Sequence, residues 1–285
     1  MYYNYHFFRR NKMKKTLSGV LLSSMTLGLL LSIAPNSVFA DENGGQLGSE
    51  GSIKYFQNDE VVPPIDPEEP DPEKPVDPGN PDPEGPDPEP GTDGPLSLDY
   101  VPHLYFGLNQ ITNKDTVYNA YATPLRNLEG GVDKYVPNYV QVTDERSEYA
   151  GWTLTVAQKD EFTSGSGSTL GSATQISLTN PSTKGVWEDA TAPSVVTDSI
   201  NLLPNNEAQT VLAAAENEGE GTWINSWGTV ETEQRFTAVE GEDEPQLKDA
   251  QVNKAVQLSV PGSVKKQAER YVTNLDWVLS DTPAQ

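Results

Sequence analysis

From Leu96 onward the chain is a series of short segments in which apolar and polar residues alternate, each closed by glycine or proline. In an extended strand, residues i and i+2 share a face, so this alternation specifies half-buried strands rather than helices. Clear cases are Tyr139-Val140-Gln141-Val142, Trp152-Thr153-Leu154-Thr155-Val156, residues 173–178, residues 255–260 and a last strand over 271–279. Turn clusters separate them at Gly130-Gly131, residues 163–168, 219–221 and 241–245, and Pro261-Gly262. Regularly punctuated short strands predict an all-β domain, an antiparallel β-sandwich or barrel-like fold. One segment departs from the pattern. Over residues 205–217, Asn206 can cap and Ala208, Val211, Leu212 and Ala215 recur at helical spacing, which predicts one short helix.

Two of the strands carry the same tripeptide pattern, Trp152-Thr153-Leu154 and Trp277-Val278-Leu279. Each tryptophan sits beside its leucine on one face, while Thr153 or Val278 faces away. Further ordered segments accompany the pair. They are Leu98-Asp99-Tyr100-Val101, Phe106-Gly107, the run from Val136-Pro137-Asn138-Tyr139 to Val142-Thr143-Asp144, Gly221-Thr222-Trp223 with Trp227-Gly228, and Val260-Pro261-Gly262. Tyr271 and a terminal Leu-x-Trp-x-Leu-x-Asp-Thr-Pro complete the set.

Over residues 96–285 this set resembles the WxL domain of Gram-positive cell-surface proteins. One W-x-L arises by chance in many strands; the ordered set is specific. The resemblance implies a β-rich module held non-covalently on the bacterial cell wall, with peptidoglycan as ligand. It also implies operation beside other WxL proteins and a membrane-anchored surface partner, or adhesion to host matrix proteins. Residues 261–271, although rich in helix formers, are by the same resemblance a turn feeding the final strand.

The N-terminus reads as an export signal from its own composition. Arg9, Arg10, Lys12, Lys14 and Lys15 precede an apolar run from Leu17 to Ile33, and Val38-Phe39-Ala40 places small residues, Val38 and Ala40, at the −3 and −1 positions of a cleavage site. Residues 1–40 are therefore expected to be a signal peptide, with Met13 as a second candidate start. The run is interrupted by Ser23, Ser24, Thr26 and Gly28 and is short for a span of about 20 apolar residues. No second apolar segment and no sorting-type tail follow, so the expectation is a secreted chain retained at the cell wall by binding, with no transmembrane segment after cleavage. Cysteine is absent. That excludes disulfides, thiol chemistry, Cys-based zinc sites and a lipidated cysteine, and leaves stability to a hydrophobic core.

Five of the 19 Lys and Arg residues precede Asp41, which leaves 14 against 42 Asp and Glu. Phosphate backbones repel such a chain, so no nucleic acid partner is expected. Polyanionic wall polymers of the teichoic type repel it equally. Aromatic stacking, hydrogen bonding or a bridging cation must then carry wall binding. Residues 41–60 form a short polar segment around Ile53-Lys54-Tyr55-Phe56, too little to fold alone. Residues 61–95 repeat Asp-Pro-Glu and Asp-Pro-Gly units. Proline fixes φ and lacks a donor, which excludes a regular helix or central strand. About 33 residues at ~3.1 Å each make a spacer on the order of 100 Å. The expectation is a disordered, solvated linker leading to a wall-binding domain over 96–285.

Catalytic chemistry finds little support. His103 is the one histidine after the signal, without a cysteine or second histidine to build a triad or zinc site. Asp144, Glu145 and Glu148 form one acidic cluster, and Glu240, Glu242, Asp243 and Glu244 another. Either cluster could coordinate Ca²⁺ through its oxygens, but neither follows an EF-hand or repeat spacing, and no cofactor is expected. Neither resembles an inward-facing pair of catalytic carboxylates. The reading is a non-enzymatic binding module, with a protein–protein or adhesion module in a surface complex as the alternative.

Aromatic residues are the candidate ligand contacts. Trp152 and Trp277 lie on apolar faces with Leu154 and Leu279, where core packing and ligand contact both fit; the two leucines read as core. If Ile224 faces the core, Trp223, Asn225 and Trp227 share the opposite face as an aromatic platform with an amide between the rings, which suits a sugar. Burial of both rings is the competing reading. Tyr139 and Trp187 are lesser candidates.

Overall fold

The computed structural model describes residues 47–126, 131–146, 148–187, 189–239, 241–242 and 244–283. The expected signal peptide, the choice of start, Gly130, Glu240 and Asp243 lie outside the described residues. Residues 47–53 belong to a unit ending at Ile53 and are exposed, without strand. A second compact unit, beginning at Lys54, holds every strand.

Among the described residues there are eighteen strands and no helix. In chain order they are β1 (Asp77–Pro78), β2 (Leu96–Tyr100), β3 (Thr116–Tyr121), β4 (Thr123–Arg126), β5 (Val132–Val136) and β6 (Tyr139–Asp144). There follow β7 (Trp152–Gln158), β8 (Thr163–Ser164), β9 (Gln175–Thr179), β10 (Pro181–Gly185), β11 (Val195–Val196) and β12 (Ser199–Leu202). The last six are β13 (Gln209–Ala214), β14 (Gly221–Trp227), β15 (Val230–Thr237), β16 (Gln246–Val260), β17 (Tyr271–Val272) and β18 (Leu275–Ser280). Every pairing is antiparallel. The sheets run β10-β14-β6-β2, β11-β13-β7-β18, β12-β9-β16-β15 with β3 also on β16, β1-β4-β5, and β17-β8.

Three of these sheets share one core, around which the sheets form a propeller-like ring. Val140, Val142, Trp223 and Trp227 enter it from β6 and β14, and Trp152, Leu154, Val156 and Leu212 from β7 and β13. Ile176, Leu178, Ile200, Leu202, Val256 and Leu258 close it from β9, β12 and β16. The β6–β14 layer is covered on both sides. Its other face gives Tyr139 and Ile224 to a smaller core with Ile65, Tyr100, Leu125 and Val136. All six residues of β6 are therefore buried.

The all-β, antiparallel architecture is as the sequence predicts. The short helix is not: its segment is β13, between β11 and β7. Val211, Leu212, Ala213 and Ala214 are all buried, because a strand covered on both faces carries a continuous apolar run that mimics helical spacing. The predicted cap acts in a turn instead; Asn206, like Asn217 at the segment's other end, adopts a positive φ, 59° and 66° respectively, a region asparagine tolerates. The last strand is also two strands, broken at Thr273–Asn274, where Lys159 N–H bonds Asn274 O. Residues 261–270 are turn-rich, as expected.

The Pro-rich tract is extended and helix-free, as its prolines require. Solvation along its whole length, however, does not describe it. Ile65, Pro67 and Pro78 are buried, and β1 pairs with β4. Arg126 bonds Asp77 and Asp87, Lys134 meets Asp66 and Glu68, and Arg270 meets Asp82. Carboxylates beside most of the prolines give these cations something to hold, which an acidic-spacer reading overlooks.

Candidate functional site

The two W-x-L segments form one ribbon, because β18 pairs with β7. Leu279 lies opposite Leu154 and Trp277 opposite Val156. Cross-strand partners point to one face, so Trp152, Leu154, Val156, Trp277 and Leu279 make a single apolar surface against the core. Thr153, Thr155 and Val278 face outward; Val278 is 54% exposed. The antiparallel register places the two tryptophans toward opposite ends of the ribbon.

Their environments differ. Trp152 is fully buried, and its indole N–H donates to Gly219 O at 3.0 Å. Trp277 is half-buried and tilts against Trp227, with ring centroids 6.2 Å apart. Three tryptophans converge on the glycine-rich loop before β14. Besides Trp152, Trp223 N–H donates to Glu220 O at 2.9 Å, and the half-exposed Trp187 ring covers Gly221. A Cβ on Gly219 would come within 2.6 Å of the Trp152 indole nitrogen. Gly219 also has φ of +71°, so glycine is required there twice over.

The strand β14 does put Trp223, Asn225 and Trp227 on the face opposite Ile224, but that face points inward. Their exposures are 5%, 1% and 0%, so no aromatic platform is open to solvent. Asn225 accepts from Thr183 Oγ1 at 2.9 Å. Sequence reasoning gave the Ile224 side to the core; here both faces are core, because β4, β5 and Ile65 cover the second. Tyr139 is fully buried on that second side, 4.5 Å from Tyr100 between ring centroids.

What remains accessible is an open cleft of about 260 Å³ lined by Thr92, Leu96, Leu98, Trp277, Val278 and Leu279. It lies between the edge strands of two different sheets, β2 and β18. Of the predicted contacts it contains Trp277, and Leu279, read as core, lines it as well. Thr92, Leu96 and Leu98 escaped sequence reasoning, since nothing local says that β2 lies beside β18. The Leu98-Asp99-Tyr100 match was the one available signal.

Below β2 lies a buried polar cluster. Asp99 accepts from Ser97 Oγ at 2.5 Å, Thr143 Oγ1 at 2.6 Å and Gln141 Nε2 at 2.9 Å. Burial outweighs these bonds and pushes its carboxyl up to about 6. Asp144, from the first acidic cluster, is fully buried and held by Arg146 at 2.8 Å. That removes it from any exposed oxygen cage. Among the described residues no three His, Asp or Glu side chains gather as a metal cluster. His103 sits half-buried in the loop after β2, where burial lowers its pKa against the opposing pull of Asp82 and Glu89.

An all-β layer with a paired W-x-L ribbon beside an open apolar cleft defines a binding module. The chain belongs to the WxL family: the model for the WxL domain, surface cell wall-binding, matches residues 42–283. That is a family of cell-surface wall-binding domains and not of enzymes, and it places the protein at the cell wall or surface. The match includes the Pro-rich tract. No curated protein and no solved structure matches the chain.

Proposed function

We propose that this secreted protein attaches non-covalently and without catalysis to the wall of a Gram-positive bacterium by binding peptidoglycan. The observation that carries the reading is the position of Trp277, the one W-x-L tryptophan not fully buried, on an apolar cleft beside Leu96 and Leu98. A ring presented at a cleft gives a sugar its apolar face, and Thr92 adds a hydroxyl for directional bonding. Trp152, Trp223, Asn225, Trp227 and Tyr139 act here as the packing that holds the ribbon, not as contacts. The strongly acidic chain makes charge attraction to anionic polymers an unsuitable source of affinity.

The test is co-sedimentation of the secreted chain with insoluble peptidoglycan stripped of protein and teichoic acid. Wild type is expected in the pellet, and Trp277→Ala is expected to lose about tenfold in affinity while keeping a single cooperative urea unfolding transition. Wild type that stays in the supernatant while folded overturns the reading. The search would then move to a protein partner, whether another WxL protein, a membrane-anchored surface protein or host matrix.

A further inference from the structure

The Pro-rich tract contains one short unit twice: Pro64-Ile65-Asp66-Pro67 and Pro75-Val76-Asp77-Pro78. The fold treats both copies alike. In each, the aliphatic side chain enters the smaller core, Ile65 fully and Val76 partly. The following carboxylate finds a cation, Asp66 on Lys134 at 2.6 Å and Asp77 on Arg126 through two bonds of 2.9 Å. The closing proline is buried in both. The two units lie antiparallel, with Val76 N–H on Pro64 O at 2.8 Å and Ile65 bridging Pro75.

The receiving surface is specific. Gln141, fully buried, accepts from Ile65 N–H at 2.9 Å and donates to Pro63 O at 3.1 Å, so it reads the backbone at the anchor residue. Its orientation is set by the Asp99 carboxylate, which accepts from the same amide nitrogen. Strand β4 reads the second unit as a strand partner, and Gly79 N–H continues to Pro124 O at 2.8 Å. Lys184 bonds Glu68 O at 2.8 Å. A protein with 19 basic against 42 acidic residues gathers Arg126, Lys134 and Lys184 under one acidic segment.

From this repeated solution we infer that the face made by β4, β5 and the outer side of β6 and β14 is a peptide-recognition surface for Pro-(Ile/Val)-Asp-Pro units. In one copy it is filled by the chain's own residues 63–79, and the same tract of a second copy takes that place in exchange. Exchange preserves the contacts of residues 63–79 and releases those of the connection, chiefly Asp82 on Arg270 and Asp87 on Arg126. Residues 80–95, rich in proline and glycine, reach on the order of 50 Å when extended, which suffices to reach a neighbour. The self-docked form prevails in dilute solution through high effective concentration, and crowding on a surface favours the exchanged form. The wall ligand plays no part in this inference.

The test adds a fluorescent peptide of residues 61–80 to the full chain and to its Ile65→Asp/Val76→Asp variant, reading anisotropy. The variant should bind saturably, wild type at least tenfold more weakly, and a peptide carrying Ile65→Asp should not bind. A variant with native near-UV circular dichroism that ignores the peptide overturns the inference. Should the variant not fold, hydrogen exchange of wild type decides: the Ile65 and Val76 amides should be protected, and free-peptide rates overturn the site. Light scattering of wild type over a concentration series should show a dimer that excess peptide removes. A monomer at every concentration overturns the exchange.

Discussion

Gly219 is where a single residue most tightly limits the site. It stands at φ +71°, its carbonyl accepts the Trp152 indole, and a side chain would also meet Ala214 Cβ at 2.6 Å. Gly219→Ala is expected to cost about 1–3 kcal/mol, seen as a lower urea midpoint and a shifted tryptophan emission; an unchanged midpoint would mean the indole is held otherwise. Asp99 gives a second expectation. Its folded carboxyl titrates near 6, above the ordinary 3.8, so the folded state holds a proton that the unfolded state has released. Its contribution to stability is complete below about pH 4 and is lost as pH rises through about 6, on the order of 2–3 kcal/mol at most. A carboxyl ¹³C titration should find the midpoint near 6; a value near 4 would show that its three hydrogen bonds dominate. Neither residue was legible beforehand. Gly219 read only as turn punctuation and Asp99 only as part of a match, since their demands come from Trp152 and from burial.

At the scale of the strand, the W-x-L pattern was readable because period two is a local property. Leu154 and Leu279 were expected inside, Thr153 and Val278 outside; in the paired β7 and β18, Leu154 is buried, Leu279 and Thr153 are partly buried and Val278 is exposed. Val278→Lys should therefore change the unfolding free energy by less than about 0.5 kcal/mol, while Leu279→Lys should cost about 3 kcal/mol or prevent folding. Equal effects from chemical denaturation would contradict the facing. Where a strand is covered on both sides, the same reading fails. In β13 a run of four buried residues passed for a helix face, and in β14 an inward face passed for an exposed platform.

Across the whole molecule, charge is the widest constraint. With acidic residues so far in excess, self-repulsion opposes the compact state. Added sodium chloride, from about 20 to 500 mM, should raise the melting temperature by several degrees as it screens that repulsion. Scanning calorimetry showing a fall would mean that the ion pairs of the Pro-rich tract outweigh it. By itself, the sequence determined the all-β class, the antiparallel strands, the two W-x-L faces and the absence of cysteine chemistry, all of which follow from residue type and local period. Only the tertiary structure decided that the ribbon joins both motifs, that Trp277 and not Trp152 meets an open cleft, and that the Pro-rich tract docks. The reason is physical: alternation tells a side chain which face to take, but what covers that face comes from residues far along the chain, such as Ile65 on Gln141 and Leu96 beside Trp277.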